Sequence, residues 1–193
     1  MRLLLLVAIS FASCCVLDAL AQDTMTVTTN YYTVYGTGVR ELRAALDQSR
    51  RLKDRSPSDA STDWDIRWAY KTITSETECR LLSVEIRTTI TITLPRWVPR
   101  SEAPPDLQQQ WQNYLKALLK HEDGHRALAQ MAAGEVGRQM RSIKGAINCE
   151  ALAALIKTKA DATIAEYREK EAQYDRKTEH GATQGARFPK SVF

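Results

Sequence analysis

Hydrophobic and polar positions alternate with a period of two along residues 64–73 and again along residues 81–95. Successive side chains of a strand point to opposite faces, so this alternation predicts two half-buried strands of an antiparallel sheet. A further strand is predicted over residues 24–36, which are rich in β-branched and aromatic side chains, with a bulge near Asn30. Pro95 is expected to end the last of the three strands.

The hydrophobic period changes to 3.6 in three other segments, which are predicted to be helices. The first runs from Val39 to about Leu52, the second from Pro105 to Gly145, and the third from about Asn148 to Tyr174. The fold class expected from this order is α+β, a small antiparallel sheet with one helix followed by two long helices. No period continues beyond the third helix.

Residues 1–21 have the features of a cleaved signal peptide. Arg2 precedes an apolar stretch that is too short for a comfortable membrane span, and Ala19 and Ala21 supply small residues before the predicted cut. We therefore expect an exported protein, periplasmic or secreted, whose mature chain, residues 22–193, forms one domain without a transmembrane segment. The alternative is a lipoprotein acylated at Cys14.

Charge and cysteine content narrow the possibilities further. The full chain carries a formal net charge of +4, and the predicted cleavage leaves this balance unchanged. No block of basic residues is interleaved with aromatic ones, so no nucleic-acid partner is expected. Cys79 and Cys149 are the cysteines left after cleavage, and in an oxidising compartment they are expected to form a disulfide.

The second predicted helix contains the sequence HEDGH, with His121, Glu122 and His125 in HExxH spacing. Histidines at positions i and i+4 project from the same helical face, so both imidazoles can reach one zinc ion. The glutamate points about 100° round the helix, where it can act as a general base. Gly124, inside this motif, would allow close approach of a neighbouring strand or a substrate.

A catalytic zinc ion requires a third protein ligand. The pattern HExxHxxGxxH is excluded, because Leu128 and Met131 occupy the positions of its glycine and last histidine. Glu135 lies about 15 Å along the helix from His125 and is too distant. The remaining candidates are Asp161 and Glu166 on the third helix and His180 in the tail, where Gly181 allows a tight reversal of the chain.

The motif HEDGH, the tail YDRKTEHGATQGARFP, the stretch LPRW and the exported N-terminus together resemble a bacterial family of secreted proteins. That family is catalogued as a domain of unknown function and predicted to contain zinc-dependent proteases. The similarity covers roughly residues 25–189. Its most specific parts are HExxH and the YDxxTxHG pattern that runs from Tyr174 to Gly181.

The resemblance implies that the tail belongs to a zincin-like site. It favours His180 as the third zinc ligand beside His121 and His125, with Glu122 as the general base. It also suggests that Asp175 orients a ligand imidazole and that Tyr174 donates a hydrogen bond to the developing oxyanion. A tyrosine packed at a helix end is the alternative for Tyr174.

The function expected from these features is zinc-dependent hydrolysis of a peptide or protein substrate. The alternatives are a non-catalytic, zinc-stabilised binding module and an amidase that acts on cell-wall peptide. Residues 83–94 could add an extended peptide at a sheet edge, or could form an ordinary internal strand. The sequence leaves the oligomeric state open.

Overall fold

The computed structural model describes residues 22–52, 58–98 and 100–189, with only the backbone of residues 50–52. The predicted signal peptide lies outside these residues. The strands are β1 (Thr24–Val34), β2 (Ser61–Thr74), β3 (Cys79–Trp97) and the two-residue β4 (Gly145–Ala146). The helices are α1 (Val39–Leu52), α2 (Pro105–Arg141) and α3 (Cys149–Thr178). The predicted α+β class, with one short and two long helices, is confirmed.

The sheet is mixed, which corrects the antiparallel arrangement predicted from the sequence. β3 lies between β1 and β2, pairing antiparallel with β2 and parallel with β1. The connection from β1 passes through α1 and β2, a crossover of the length that a parallel pair requires. Because β3 has a strand on both sides from Arg87 to Thr93, most of residues 83–94 form an ordinary internal strand and not an edge that could bind a peptide.

Two local predictions about the strands were wrong. The β1–β3 register runs without interruption from Thr24 to Val34, so there is no bulge near Asn30. The irregularity instead lies in β2, between Lys71 and Thr72. Pro95 is inside β3 and does not end it, because its missing N–H is tolerated near the end of this strand.

One face of the sheet packs against α2 and forms most of the core. Alternate residues of β3 are buried there, as their period of two predicts. The buried set comprises Val84, Ile86, Ile90, Ile92 and Leu94. Across from them, α2 buries one apolar stripe that includes Leu118, Val136 and Met140.

α2 and α3 form an antiparallel pair. Lys159 in the first half of α3 contacts Gln139 near the end of α2, whereas Tyr174 near the end of α3 contacts His121 in the middle of α2. The predicted disulfide between Cys79 and Cys149 is confirmed, and it ties the first residue of α3 to the first residue of β3. This cross-link indicates a compartment outside the reducing cytoplasm.

The chain reverses direction after α3 and returns over α2. Glu179, His180 and Gly181 have φ values of 50°, 52° and 83°, which turn the backbone sharply. A short 3-10 helix, Ala182–Gln184, follows, and Phe188 then enters an aromatic cluster with Trp111 and Tyr114. The tail after α3 is therefore packed against the core up to this residue.

Within the described residues, no helix combines the length and the apolar character needed to span a membrane.

Candidate metal centre

Helix α2 places the three motif residues on its buried side. His121 and Glu122 are 1% exposed and His125 is 8% exposed. The Nε2 atoms of the two histidines lie 3.3 Å apart, as expected for imidazoles that are one helical turn apart and converge on one point. The middle of α2 thus offers two nitrogen ligands at a single position.

Asp175 of α3 completes a triangle with these two nitrogens. Its Oδ1 lies 3.2 Å from Nε2 of His121 and 3.0 Å from Nε2 of His125. Ligand atoms that bind a tetrahedral zinc ion at 2.0–2.1 Å are about 3.3 Å from one another. The observed triangle fits one face of that tetrahedron, and these residues are a group able to hold a metal ion.

His180 lies beside this triangle, at the mouth of the site. Its Nδ1 is 3.5 Å from Oδ1 of Asp175, and its side chain is 41% exposed. The group whose ligand atoms all lie within 4.8 Å of one another consists of His121, His125 and Asp175. The geometry thus favours the carboxylate as the third ligand, and a ligand role for His180 stays a prediction.

The other two candidates for the third ligand lie on the surface of α3. Asp161 pairs with Lys157, and Glu166 pairs with Lys170, each with the partner one helical turn away. Both carboxylates are more than half exposed. They are solvated charges on the outer side of the helix.

Each histidine of the triangle has an oxygen atom near its second ring nitrogen. Nδ1 of His121 lies 3.1 Å from Oε1 of Gln184, and Nδ1 of His125 lies 3.5 Å from Oε1 of Glu171. An acceptor at Nδ1 holds the proton there and leaves the lone pair of Nε2 for a metal. These oxygens favour a proton on Nδ1 of both rings, which is the form whose Nε2 can bind zinc.

Glu171 and Gln184 were missed by the sequence analysis. Glu171 is buried, and the indole Nε1 of Trp64 donates a hydrogen bond of 2.7 Å to it. Bonds from His125, Trp64 and Arg168 lower the pKa of the Glu171 carboxyl, although burial acts in the opposite direction. Glu171 lies inside the third predicted helix, one turn before Asp175, and this spacing was the available signal.

Tyr174 packs against the ligand helix. Its hydroxyl donates to the backbone oxygen of His121, and Nε2 of Gln184 donates to that hydroxyl. The hydroxyl lies so close to Gly124 that a Cβ atom there would be 2.2 Å away from it. Gly124 thus makes room for a tyrosine of α3, and the contacts of Tyr174 favour a positioning role over donation to an oxyanion.

Glu122 faces the start of β2, where Thr62 donates a hydrogen bond of 2.7 Å to its Oε2. Burial raises the pKa of the Glu122 carboxyl, whereas the bond from Thr62 and the nearby histidines oppose this rise. A carboxyl with a raised pKa accepts and returns a proton more readily near neutral pH. The side chain is held beside the ligand nitrogens and is not itself part of the triangle.

The carboxylates and imidazoles of the site change one another's pKa. Hydrogen bonds to Asp175 and Glu171 overcome burial and raise the pKa of His125 to about 9. The histidines in turn hold the pKa of Asp175 well below its usual range, against the effect of burial. The carboxylates of Asp175 and Glu171 thus favour positive charge at this position, which the His125 proton supplies here and a divalent cation could supply in its place.

A cleft of about 240 Å³ opens onto these groups. Its walls include the three residues of the triangle, Glu122, His180 and the first residues of β2. A reacting group could therefore reach the base and the metal position from the same side.

A family model described as "Bacterial protein of unknown function (DUF922)" matches residues 29–181 of the chain. Neither the curated proteins nor the solved structures contain a match.

Proposed function

We propose that the protein, which belongs to this bacterial family of unknown function, is an exported zinc-dependent metallopeptidase. The reaction is inferred from the site alone. The observation that carries the proposal is the triangle of His121, His125 and Asp175 with Glu122 beside it in an open cleft. The disulfide supports a location outside the cytoplasm.

His121, His125 and Asp175 would hold the zinc ion. When bound there, zinc supplies a Lewis acid for the scissile carbonyl and lowers the pKa of water. The chain orients its own ligands through Gln184 and Glu171, whose oxygens lie near Nδ1 of His121 and His125. This outer layer keeps both imidazoles in position before the ion arrives.

Glu122 is the general base of the proposed reaction. Its carboxylate takes the proton of the attacking water and passes it to the nitrogen of the leaving amine. Thr62 fixes one carboxylate oxygen by its hydrogen bond, so the proton is received in a defined direction. Both the base and its partner line the cleft.

The substrate that fits this cleft best is an extended peptide. β2 is an outer strand of the sheet, and its residues Ser61 and Thr62 line the cleft. A peptide that hydrogen-bonds to an outer strand as an added strand brings its backbone to a defined position. A peptide of the cell wall would meet the same groups, so a cell-wall amidase differs in substrate alone.

The position of His180 favours one other function. With its Nδ1 3.5 Å from Asp175, it could give the ion four protein ligands. A closed site of this kind is typical of structural zinc. The protein would then be a zinc-stabilised binding module, and Glu122 would have no chemical role.

Metal analysis of the parent protein and of the Glu122→Gln variant, together with assays on a mixed peptide library, separates these functions. We expect zinc in both proteins and cleavage by the parent alone. Glu150→Gln, an exposed change in the first turn of α3, is the matched control and should cleave like the parent. Zinc binding by the parent without cleavage of peptides or cell-wall fragments would instead favour the binding module.

A further inference from the structure

Strand β1 has an unusual sequence for the edge of a sheet. Its eleven residues, TMTVTTNYYTV, include no charged residue, no proline and no glycine. One side of the strand pairs with β3 along its whole length, and no other strand among the described residues pairs with the opposite side. Residues 24–31 are exposed. Backbone N–H and C=O groups on such an edge are a template for another strand.

The opposite edge of the sheet has the usual protection against strand pairing. β2 carries Asp63, Asp65, Arg67 and Lys71 at exposed positions and is interrupted by a bulge. Charged residues and bulges on an edge strand disfavour association with another chain. Strand β2 is thus protected from Asp63 onward, beyond the two residues at the cleft, whereas β1 has no such protection.

Exposed apolar side chains of β1 share one face. Met25, Val27 and Tyr31 are 41%, 43% and 52% exposed. In the parallel register, Val27 is beside Ile90 and Tyr31 is beside Leu94, and both partners are buried in the core. These three side chains therefore continue the apolar face of the sheet beyond the part that the helices cover.

We propose that a second copy of this chain covers the β1 edge, as an antiparallel β1–β1 pair with its two-fold axis at Thr28. In this register Thr24 lies opposite Tyr32 of the second copy, so all of residues 24–32 are paired. Met25 faces Tyr31 of the second copy, and Val27 faces Thr29. Aromatic and β-branched side chains in such cross-strand positions stabilise a sheet.

The faces of the two copies agree in this register. Residues that lie opposite each other in an antiparallel pair point to the same side of the sheet. Odd-numbered residues of β1 lie opposite odd-numbered ones, so the apolar faces join into one surface. A shift by a single residue would place each apolar face beside an exposed polar one.

Charges at the ends of the strand are complementary in the same register. Arg96 lies beside Thr33 in the sheet, and its guanidinium is 4.8 Å from the ring centroid of Tyr31. Thr33 lies opposite Asp23 of the second copy. That carboxylate is 45% exposed and already pairs with Arg141 of its own chain at 2.6 Å, so Arg96 would be its second cationic neighbour. The relation occurs twice by symmetry.

The pairing is compatible with access to the metal centre. β1 and β2 are at opposite edges of the sheet, and it is β2 that contributes to the cleft. The inference is independent of the proposed peptidase activity, since it concerns the other edge.

Cysteine cross-linking of the exported protein tests the register. Residues directly opposite in a sheet lie within the Cα separation of about 4.4–6.8 Å that a disulfide needs. Thr28→Cys should therefore give a covalent dimer on oxidation. Thr26→Cys or Asn30→Cys alone should not, because each residue and its symmetry mate are about 13 Å apart along the strand. A mixture of these two variants should cross-link.

Sedimentation over a concentration series tests the interface itself. The parent should be a dimer, and Val27→Lys should weaken dimerisation by about tenfold or more, because a charge then lies in the paired edge. Ile73→Lys, at an exposed apolar residue of β2, is the control and should leave the dimer intact.

A monomeric parent at the highest concentration would overturn the proposal, and so would cross-linking of Thr26→Cys as readily as Thr28→Cys. A folded Val27→Lys variant that dimerises like the parent would do the same. If far-ultraviolet circular dichroism shows that this variant is unfolded, the cysteine variants decide the question.

Discussion

The ring of Tyr174 lies parallel to the imidazole of His121, with 5.1 Å between the ring centroids and 12° between the planes. This stack joins α3 to α2 at the level of the ligands. The hydroxyl of Tyr174 adds a bond to the backbone of His121, so both the ring and the helix are held. The distance between the two helices, and with it the position of Asp175, depends on this contact.

Gly124→Ala should disrupt the contact. The new Cβ would lie 2.2 Å from the hydroxyl of Tyr174, which must then move. We expect a loss of about 1–3 kcal/mol in unfolding free energy, measured by urea denaturation, although alanine is the better helix former. Gly134→Ala is the control, since nothing lies within 4 Å of its Cβ position, and it should gain about 1 kcal/mol. Equal effects at both positions would show that the stack has no role.

Asp175→Ala should lower zinc affinity by about 100-fold or more, since the loss of a ligand exceeds the loss of an outer partner. His180→Ala should have a smaller effect if its imidazole remains at the mouth of the site. Asp161→Ala, at an exposed ion pair, should leave the affinity unchanged. Titration with a chelating indicator measures all three. A larger loss of zinc affinity for His180→Ala than for Asp175→Ala would show that His180, and not Asp175, is the third ligand.

Gln184→Leu should weaken zinc binding by about 10–100-fold, because Nδ1 of His121 then loses its nearest acceptor and keeps only the Thr178 hydroxyl at 3.5 Å. Gln184→Glu keeps an acceptor and should retain most of the affinity. The matched control is Gln173→Leu, on the exposed side of α3. Nitrogen NMR of the imidazoles should show the change of His121 tautomer in Gln184→Leu alone. An unchanged tautomer in this variant would contradict the role of Gln184.

Tyr114→Phe should change how stability depends on alkaline pH. Burial beside Asp59, which accepts a 2.6 Å hydrogen bond from the phenol, raises the pKa of Tyr114 well above 10. As the pH passes 10, the tyrosine ionises in the unfolded chain before it does so in the folded one. The free energy of unfolding of the parent therefore decreases above this pH. The variant lacks this phenol, so its stability should depend less on pH in this range. At neutral pH its free energy of unfolding should be about 1–2 kcal/mol lower than that of the parent, because the buried hydrogen bond is lost.

Urea denaturation at several pH values measures both effects of Tyr114→Phe. Tyr35→Phe, at an exposed ring, is the control for the loss of a phenol hydroxyl and should match the stability of the parent at neutral pH. A parallel decline of Tyr114→Phe and the parent above pH 10 would count against the prediction.

The helices and strands with a strong hydrophobic period were predicted well. The burial of one face of such an element is the physical cause of the period. α1 has the predicted bounds. β2 and β3 lie where they were predicted and pair with each other antiparallel. The direction of β1 was not predictable from its own residues, since it is set by the connection through α1. The alternation of apolar and polar residues predicts a strand, but it does not predict whether the neighbouring strand runs parallel or antiparallel to it.

The end of α3 shows why the site was only partly predictable. The apolar period fades near Tyr174, yet the helix continues to Thr178. Its inward positions there are polar, because Glu171, Asp175 and Thr178 face the ligand histidines and not an apolar core. HExxH could be found from local spacing alone. The partners from α3 and the tail depend on a helix packing that no local pattern contains.

Phe188 anchors the returning tail in the aromatic cluster, while Gly181 and Gln184 of the same segment lie against His121. A single proteolytic nick between Gly185 and Phe188 would release this anchor. Every proposed ligand and the base would stay in the shortened chain, yet His121 would be left without the support of a fixed acceptor. Inactivation by trimming would thus be irreversible and would leave the metal-binding motif untouched.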